Sequence, residues 1–137
     1  MHTIEIPVPE AQYKFIRRNS SFNIIYPYEH PICSVVRIDT VVKAVGFNND
    51  DYISLFKDQS SIKNINPIES KFLELEYIRD CKVFSVTRNE WDNNYGAGSA
   101  REFLSLIKST TPDSYVKILK LRAPRYSLKE LNYKYAQ

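Results

Sequence analysis

The side chains best suited to chemistry gather towards the end of the chain. Residues 117–137 carry Lys117, Lys120, Arg122, Arg125, Lys129 and Lys134, opposed only by Glu130. Tyr126, Tyr133 and Tyr135 are interleaved with them, and Tyr115 stands just before. A basic segment with interspersed aromatics can neutralise phosphates and stack on bases. The same pattern also suits a solvated terminal helix whose tyrosines pack on the body of the protein. Residues 101–137 hold 8 basic and 3 acidic side chains, a net of +5, whereas residues 1–100 hold 11 and 13, a net of −2. The whole chain is only +3, so the distribution says more than the total.

Other chemistries have less to work with. The two histidines, His2 and His30, and the two cysteines, Cys33 and Cys81, are scattered and lack zinc-ligand spacing. Cys33 lies in an apolar run and reads as a small buried residue rather than a nucleophile served by His30. Asp50 and Asp51 form a carboxylate pair in a turn, which N-capping explains more simply than metal binding. Glu74 and Glu76 share one face of a strand, expected to be solvated. With three glycines in the chain there is no Gly-rich phosphate loop, although Tyr95-Gly-Ala-Gly-Ser99 before a helix could hold an anion. Arg88, Glu90 and Tyr95, or Lys117 with Arg122, would be the groups of a small metal-independent ribonuclease, but no spacing compels that reading. No cofactor or metal is implied.

These groups must be positioned by a small scaffold. The 137 residues are 43% hydrophobic and 26% charged, which is ordinary usage for one globular domain. No apolar run approaches the roughly 18–20 residues of a membrane span, and residues 1–25 lack the apolar core of a signal peptide. The expectation is a soluble intracellular domain of unknown oligomeric state that does not engage a membrane.

Residues 3–8 alternate apolar and polar and predict a short strand, with Pro7 favouring a sheet edge or the strand end. A short helix over Glu10–Arg18 follows, then strands at 22–26 and 32–38 joined by a hairpin around Tyr28–Pro31. Val41, Val42 and Val45 suggest a helix capped by Asp39 or Thr40 and ended by Gly46. A turn at Asn48–Asp51 leads into a second helix over Tyr52–Lys57, so residues 39–57 make a helix pair. Residues 59–67 read as a loop, 72–77 and 82–87 as strands flanking an Arg79-Asp80 hairpin turn, and 88–98 as turn-rich. Ser99 caps an amphipathic helix over about 99–108. Pro112 breaks the chain, Tyr115–Leu121 forms a strand, and Ser127 caps a last helix. The fold class is α+β: one domain over 1–137 with a small mixed or antiparallel sheet and a basic C-terminal segment over 117–137.

The wording of residues 39–56 resembles the BRO-N domain of baculovirus repeated-ORF proteins and phage antirepressors, which is related in style to KilA-N. Asp39, Ala44, Val45, Gly46, Phe47 and Asn49 stand where that family carries a helix and the turn after it. Asn89-Glu90, then Ser99-Ala-Arg-Glu-Phe103, then Thr111-Pro112-Asp-Ser114 follow in the family's order, so the resemblance covers about residues 22–116. Ser34–Ile38 and Trp91–Tyr95 depart from its pattern. The resemblance implies a regulatory DNA-binding module of viral or phage origin, placed in the host nucleus or cytoplasm. Lys43, Asn48, Asn49 and Lys57 would lie on the helix pair. Arg101 would contact phosphates with Lys117, Lys120, Arg122 and Arg125 of the basic segment.

The expectation for function is therefore a duplex-DNA-binding module acting without catalysis. The alternative is a protein–protein interaction module of the accessory, inhibitor or immunity kind, which the ten tyrosines and Trp91 would suit. Tyrosines clustered away from the basic residues would favour a protein partner. Tyrosines interleaved with Lys and Arg would favour nucleic acid.

Overall fold

The structure is a computed structural model that describes residues 2–13, 16, 21–57, 69–94 and 99–123. Among the described residues, five strands and four short helices run in the order β1 (His2–Pro9), α1 (Glu10–Tyr13), β2 (Ser21–Pro27), β3 (Thr40–Phe47), α2 (Asn49–Lys57), β4 (Glu69–Lys82), α3 (Arg88–Asp92), α4 (Ala100–Leu106) and β5 (Tyr115–Arg122). The fold is α+β, as expected. The strands form one mixed sheet in the order β1-β3-β4-β5-β2, with β1 parallel to β3 and every other pair antiparallel. Pro7 does stand in an edge strand, where a proline is best tolerated in a sheet.

The long β4 organises the sheet. Its first part, up to Leu73, pairs with β3, and its second part, Glu74–Lys82, pairs with β5. Between Leu75 and Tyr77 the register shifts, leaving Glu76 as an extra residue that bends the strand. The sheet therefore curls over its core. Alternation sends Ile4, Ile6, Val42, Leu73, Leu75, Leu119, Leu121, Phe22 and Ile24 to the inner face, all buried in one cluster.

The opposite face of β2, β4 and β5 carries a second apolar layer. Ile25, Val116 and Ile118 are completely buried there, although they alternate with the inner residues. The segment containing α3 and α4 covers them, bringing Trp91 and Phe103 together at 5.7 Å. Asn23 ties it down: its N–H donates to Asn93 O (2.7 Å) and its Nδ2 to Glu90 O (3.2 Å).

Several expected elements differ. The first helix of the expected pair over 39–57 does not form: residues 40–47 are strand β3. Thr40, Val41, Val42, Ala44, Val45, Gly46 and Phe47 are all buried, so both faces are covered and the run is nearly continuous rather than alternating. Valines three and four apart mimic helical spacing, but β-branched residues packed on both sides suit a strand. The second helix forms as α2, starting three residues earlier than expected and ending at Lys57 as expected, with Asn48 as its cap. The expected strand over 32–38 opens instead with a 3₁₀ turn, Pro31–Ser34, whose cap His30 accepts the Ile32 N–H at Nδ1 (3.1 Å). No hairpin joins β2 to its successor, since β2 pairs only with β5. Arg79 and Asp80 make no turn either, and β4 runs straight through them. Ser99 caps α4 as expected, its Oγ accepting the Glu102 N–H (3.2 Å). The expected loop over 59–67, the end of the Glu10–Arg18 helix apart from residue 16, and the helix after Ser127 lie outside the described residues.

Candidate functional site

The expected contact residues do not converge. Lys43 projects from β3 and pairs across the strand with Glu5, Nζ to Oε1 at 3.8 Å. The Asn48 side chain is spent on its helix: Oδ1 accepts the Asp51 N–H and Nδ2 donates to Asp51 Oδ2, both at 2.9 Å. Asn49 and Lys57 are the first and last residues of α2, and Arg101 is exposed in the first turn of α4. Arg125 lies outside the described residues.

The three basic residues of β5 split between its two faces. Lys120 and Arg122 point one way and Lys117 the other, as odd and even positions on a strand must. All three meet carboxylates from β4. Lys117 Nζ donates to Asp80 Oδ1 at 2.8 Å, Lys120 Nζ stands 3.5 Å from Glu76 Oε2, and Arg122 Nη1 donates to Glu76 Oε1 at 3.0 Å. Glu74 is buried rather than solvated, with Arg122 Nε 3.9 Å from its Oε2. Partial burial pulls the Lys117 ammonium down, but the Asp80 hydrogen bond and charge outweigh that and hold it above its ordinary value. These are neutralised cations, poorly placed to bind phosphate. The groups imagined for a ribonuclease are equally dispersed. Lys117 and Arg122 face opposite ways, Arg88 is solvated with Asp92 at 4.0 Å, and Tyr95 lies outside the described residues.

Glu90 has a structural task. It accepts the Thr87 N–H at Oε1 (2.9 Å) while Thr87 Oγ1 accepts the Glu90 N–H (3.1 Å), a capping box that starts α3. Arg79 clamps the same carboxylate through Nε (3.1 Å) and Nη2 (3.3 Å) and also reaches Ser85 O (2.9 Å). Burial raises the Glu90 pKa, but the bonds from Arg79 and Thr87 prevail and hold it below the ordinary value. The Thr87-x-x-Glu90 spacing was the sequence signal for α3, within a stretch read only as turn-rich.

The feature that stands out on the surface lies where β4 ends and β5 begins. Tyr115 opens β5 opposite Lys82, the last residue of β4. Tyr28, just past β2, donates its N–H to Tyr115 O (3.2 Å), which brings the two rings to 5.8 Å at 51°. Phe84 sits in the 3₁₀ turn Val83–Ser85, where Val83 N–H donates to Ser114 O (2.9 Å) and Phe84 N–H to Pro112 O (3.1 Å). Tyr28, Tyr115 and Phe84 remain 46%, 52% and 63% exposed. Lys82 Nζ stands 5.8 Å from the Phe84 centroid and 5.9 Å from that of Tyr115, and Lys117 Nζ 5.6 Å from that of Tyr28. Lys82 forms no ion pair with a described residue. Of this group only Tyr115 and Lys117 belong to the basic–aromatic run. Tyr28, Lys82 and Phe84 arrive from segments remote in sequence, and no local pattern marks them.

Two recesses lie elsewhere. A cleft of about 510 Å³ is lined by Pro27, Glu29, His30, Pro31, Ile107 and Lys108 among others. His30 is buried there with its ring 4.5 Å from Tyr26, and its acceptor role at Nδ1 places the neutral ring's proton on Nε2. A smaller polar crevice of about 120 Å³ opens between β2, β4, β5 and α3, lined by Ser21, Asn23, Tyr77, Asn89, Asn93 and Lys120 among others. Cys33 borders neither. Its Sγ donates to Pro27 O (3.4 Å), and burial pushes the thiol up to about 11, so it stays protonated at neutral pH. Among the described residues no helix is long and apolar enough to cross a membrane. Compared with known proteins, the chain matches no family model, no curated protein and no solved structure.

Proposed function

We propose that the chain is a non-catalytic binding module for nucleic acid, and that its working surface is the aromatic–lysine face of Tyr28, Tyr115 and Phe84 with Lys82. The observation carrying this reading is the mutual placement of three exposed rings and a lysine with no carboxylate partner among the described residues. Every base has a π-face, and aromatic platforms beside a cation suit unpaired bases and their phosphates. The tyrosines stand among lysines rather than apart from them, which is the arrangement expected for nucleic acid.

Single-stranded partners fit this surface better than duplex DNA. Stacked base pairs do not offer their faces to protein rings, and the helix pair that would have entered a groove is a strand followed by one helix. A protein partner is the second reading, favoured by the same exposed Tyr and Phe as anchors and by Asp80 on the rim. Fluorescence anisotropy with labelled random single strands and hairpin duplexes, titrated with salt, separates the readings. Tighter binding of single strands supports the proposal. Equal or tighter binding of duplex restores the groove-binding expectation, and binding of neither at low salt leaves the protein partner.

A further inference from the structure

We infer that His30 is a pH-sensitive latch on the turn that carries Tyr28, closed while its imidazole is neutral and released when the ring takes a proton. The latch is the cap of the 3₁₀ turn Pro31–Ser34, where Nδ1 of the buried ring accepts the Ile32 N–H at 3.1 Å. A neutral imidazole has one acceptor nitrogen, and this bond uses it. An imidazolium has two N–H donors and no acceptor. A proton on Nδ1 would set two N–H groups against each other, so the charged ring and the capped turn exclude one another. Burial adds to the conflict, because the ring lies 4.5 Å from that of Tyr26 and a buried charge needs a partner. The cleft of about 510 Å³ that His30 helps to line gives the charged ring a way out to water.

The charged groups around the ring do not relieve this conflict. Glu29 and Lys108 line the cleft with it, both exposed, the first favouring the charged ring and the second opposing it. Burial pushes Tyr26 of β2, Tyr52 of α2 and Cys33 of the turn upward, so all three stay neutral near pH 7. Lys117 of β5 and Asp80 of β4, which act on Cys33, are bonded to each other. What the latch holds is Tyr28. Its N–H donates to Tyr115 O (3.2 Å), while Pro27 O just before it receives the His30 N–H (2.9 Å) and Cys33 Sγ (3.4 Å), and His30 O accepts the Cys33 N–H (3.0 Å). Losing the Ile32 bond opens this ring of contacts at its cap and frees Tyr28 from Tyr115. His2 gives the contrast: its Nε2 meets the Val35 carbonyl at 3.0 Å, which accepts from a neutral or a charged ring alike. The inference concerns the turn itself and holds whatever the Tyr28 face binds.

NMR spectra of the isotopically labelled full chain, recorded without ligand between about pH 8 and pH 5, where imidazoles change charge, test this directly. At the upper end the His30 ring should carry its proton on Nε2 alone. As the ring titrates, the Ile32 and Tyr28 amide signals should shift with the same midpoint, while Leu119 at the centre of the sheet stays still. His30→Asn puts an amide oxygen in the capping position, a favoured cap that cannot titrate, so Ile32 and Tyr28 should hold still over the same range. If that variant does not fold, His2→Gln supplies the second arm, and the Tyr28 response should survive it. The inference is overturned if His30 titrates while Tyr28 stays unmoved, or if His30 remains neutral to about pH 5. It is equally overturned if Tyr28 follows a different midpoint, or if Leu119 moves with it, which would be unfolding of the whole domain. No oligonucleotide is present, so failure here says nothing against strand binding at Tyr115, and failure there says nothing against the latch.

Discussion

At the level of single residues, the cations divide into those already committed and those still available. Lys43, Lys117, Lys120 and Arg122 each have a carboxylate partner, so the residues most suggestive of phosphate binding are absorbed in holding strands together. Lys82 is the exception at the aromatic face. Lys82→Ala should weaken single-strand binding and reduce the slope of log affinity against log salt by about 0.7, the value for one lost phosphate contact, whereas Lys120→Ala should leave that slope unchanged. Salt titrations of the two variants check this. The Glu90 carboxylate makes a different prediction. Its pKa is depressed in the folded state, so its contribution is present above the unfolded value of about 4.3 and fades as pH falls through the folded value. Glu90→Gln should cost about 1–2 kcal/mol near neutral pH, screened somewhat by solvent around Arg79, and the difference from wild type should vanish in acid. Denaturant melts at several pH values would show it, and a penalty that persists at low pH would contradict the role given to the charge.

At the level of elements, β3 decides the architecture. Val42 lies in register with Ile4 of β1 and Leu73 of β4, buried between two strands. Val42→Ala should destabilise by about 1–3 kcal/mol, the worth of the lost apolar burial. Phe103→Ala should cost about 3–5 kcal/mol, because Phe103 fills the layer between α4 and the back of the sheet. Chemical denaturation measures both. Much of this scaffold was legible in advance. The alternation of residues 3–8 and 115–121, the prolines ending β2, and Ser99 at the start of α4 each act through their immediate neighbours. What misled was two-sided burial: Thr40–Phe47 is apolar throughout, and such a run has no period to distinguish strand from helix. Arg79 and Asp80 misled for a related reason. They look like a turn, but their partners Glu90 and Lys117 lie on opposite sides of the strand and are 11 and 37 residues away in sequence.

Across the whole molecule, the sheet sets out two surfaces with different chemistry. One is the aromatic–lysine face at the start of β5, the other the polar crevice behind it. Neither was visible as a motif, because each is assembled from three or more separate segments: Tyr28, Lys82, Phe84 and Tyr115 in one, Ser21–Asn23, Tyr77, Asn89 and Lys120 in the other. Composition singles out tyrosine and lysine, and Tyr115 with Lys117 lies at the face proposed here for binding. The local charge excess pointed to more free cations than the fold leaves on β5.

The most direct measurement of the central claim is the affinity of a labelled single-stranded oligonucleotide for the wild type and for Tyr115→Ala, Tyr28→Ala and Phe84→Ala, with folding of each checked by thermal melting. Each ring that stacks on a base should be worth about 1–3 kcal/mol, a loss of about 5- to 150-fold. The predicted result is such a loss for Tyr115→Ala and for at least one of the other two, with melting temperatures near wild type because all three rings are exposed. Unchanged affinity in all three folded variants would contradict the assignment of this face.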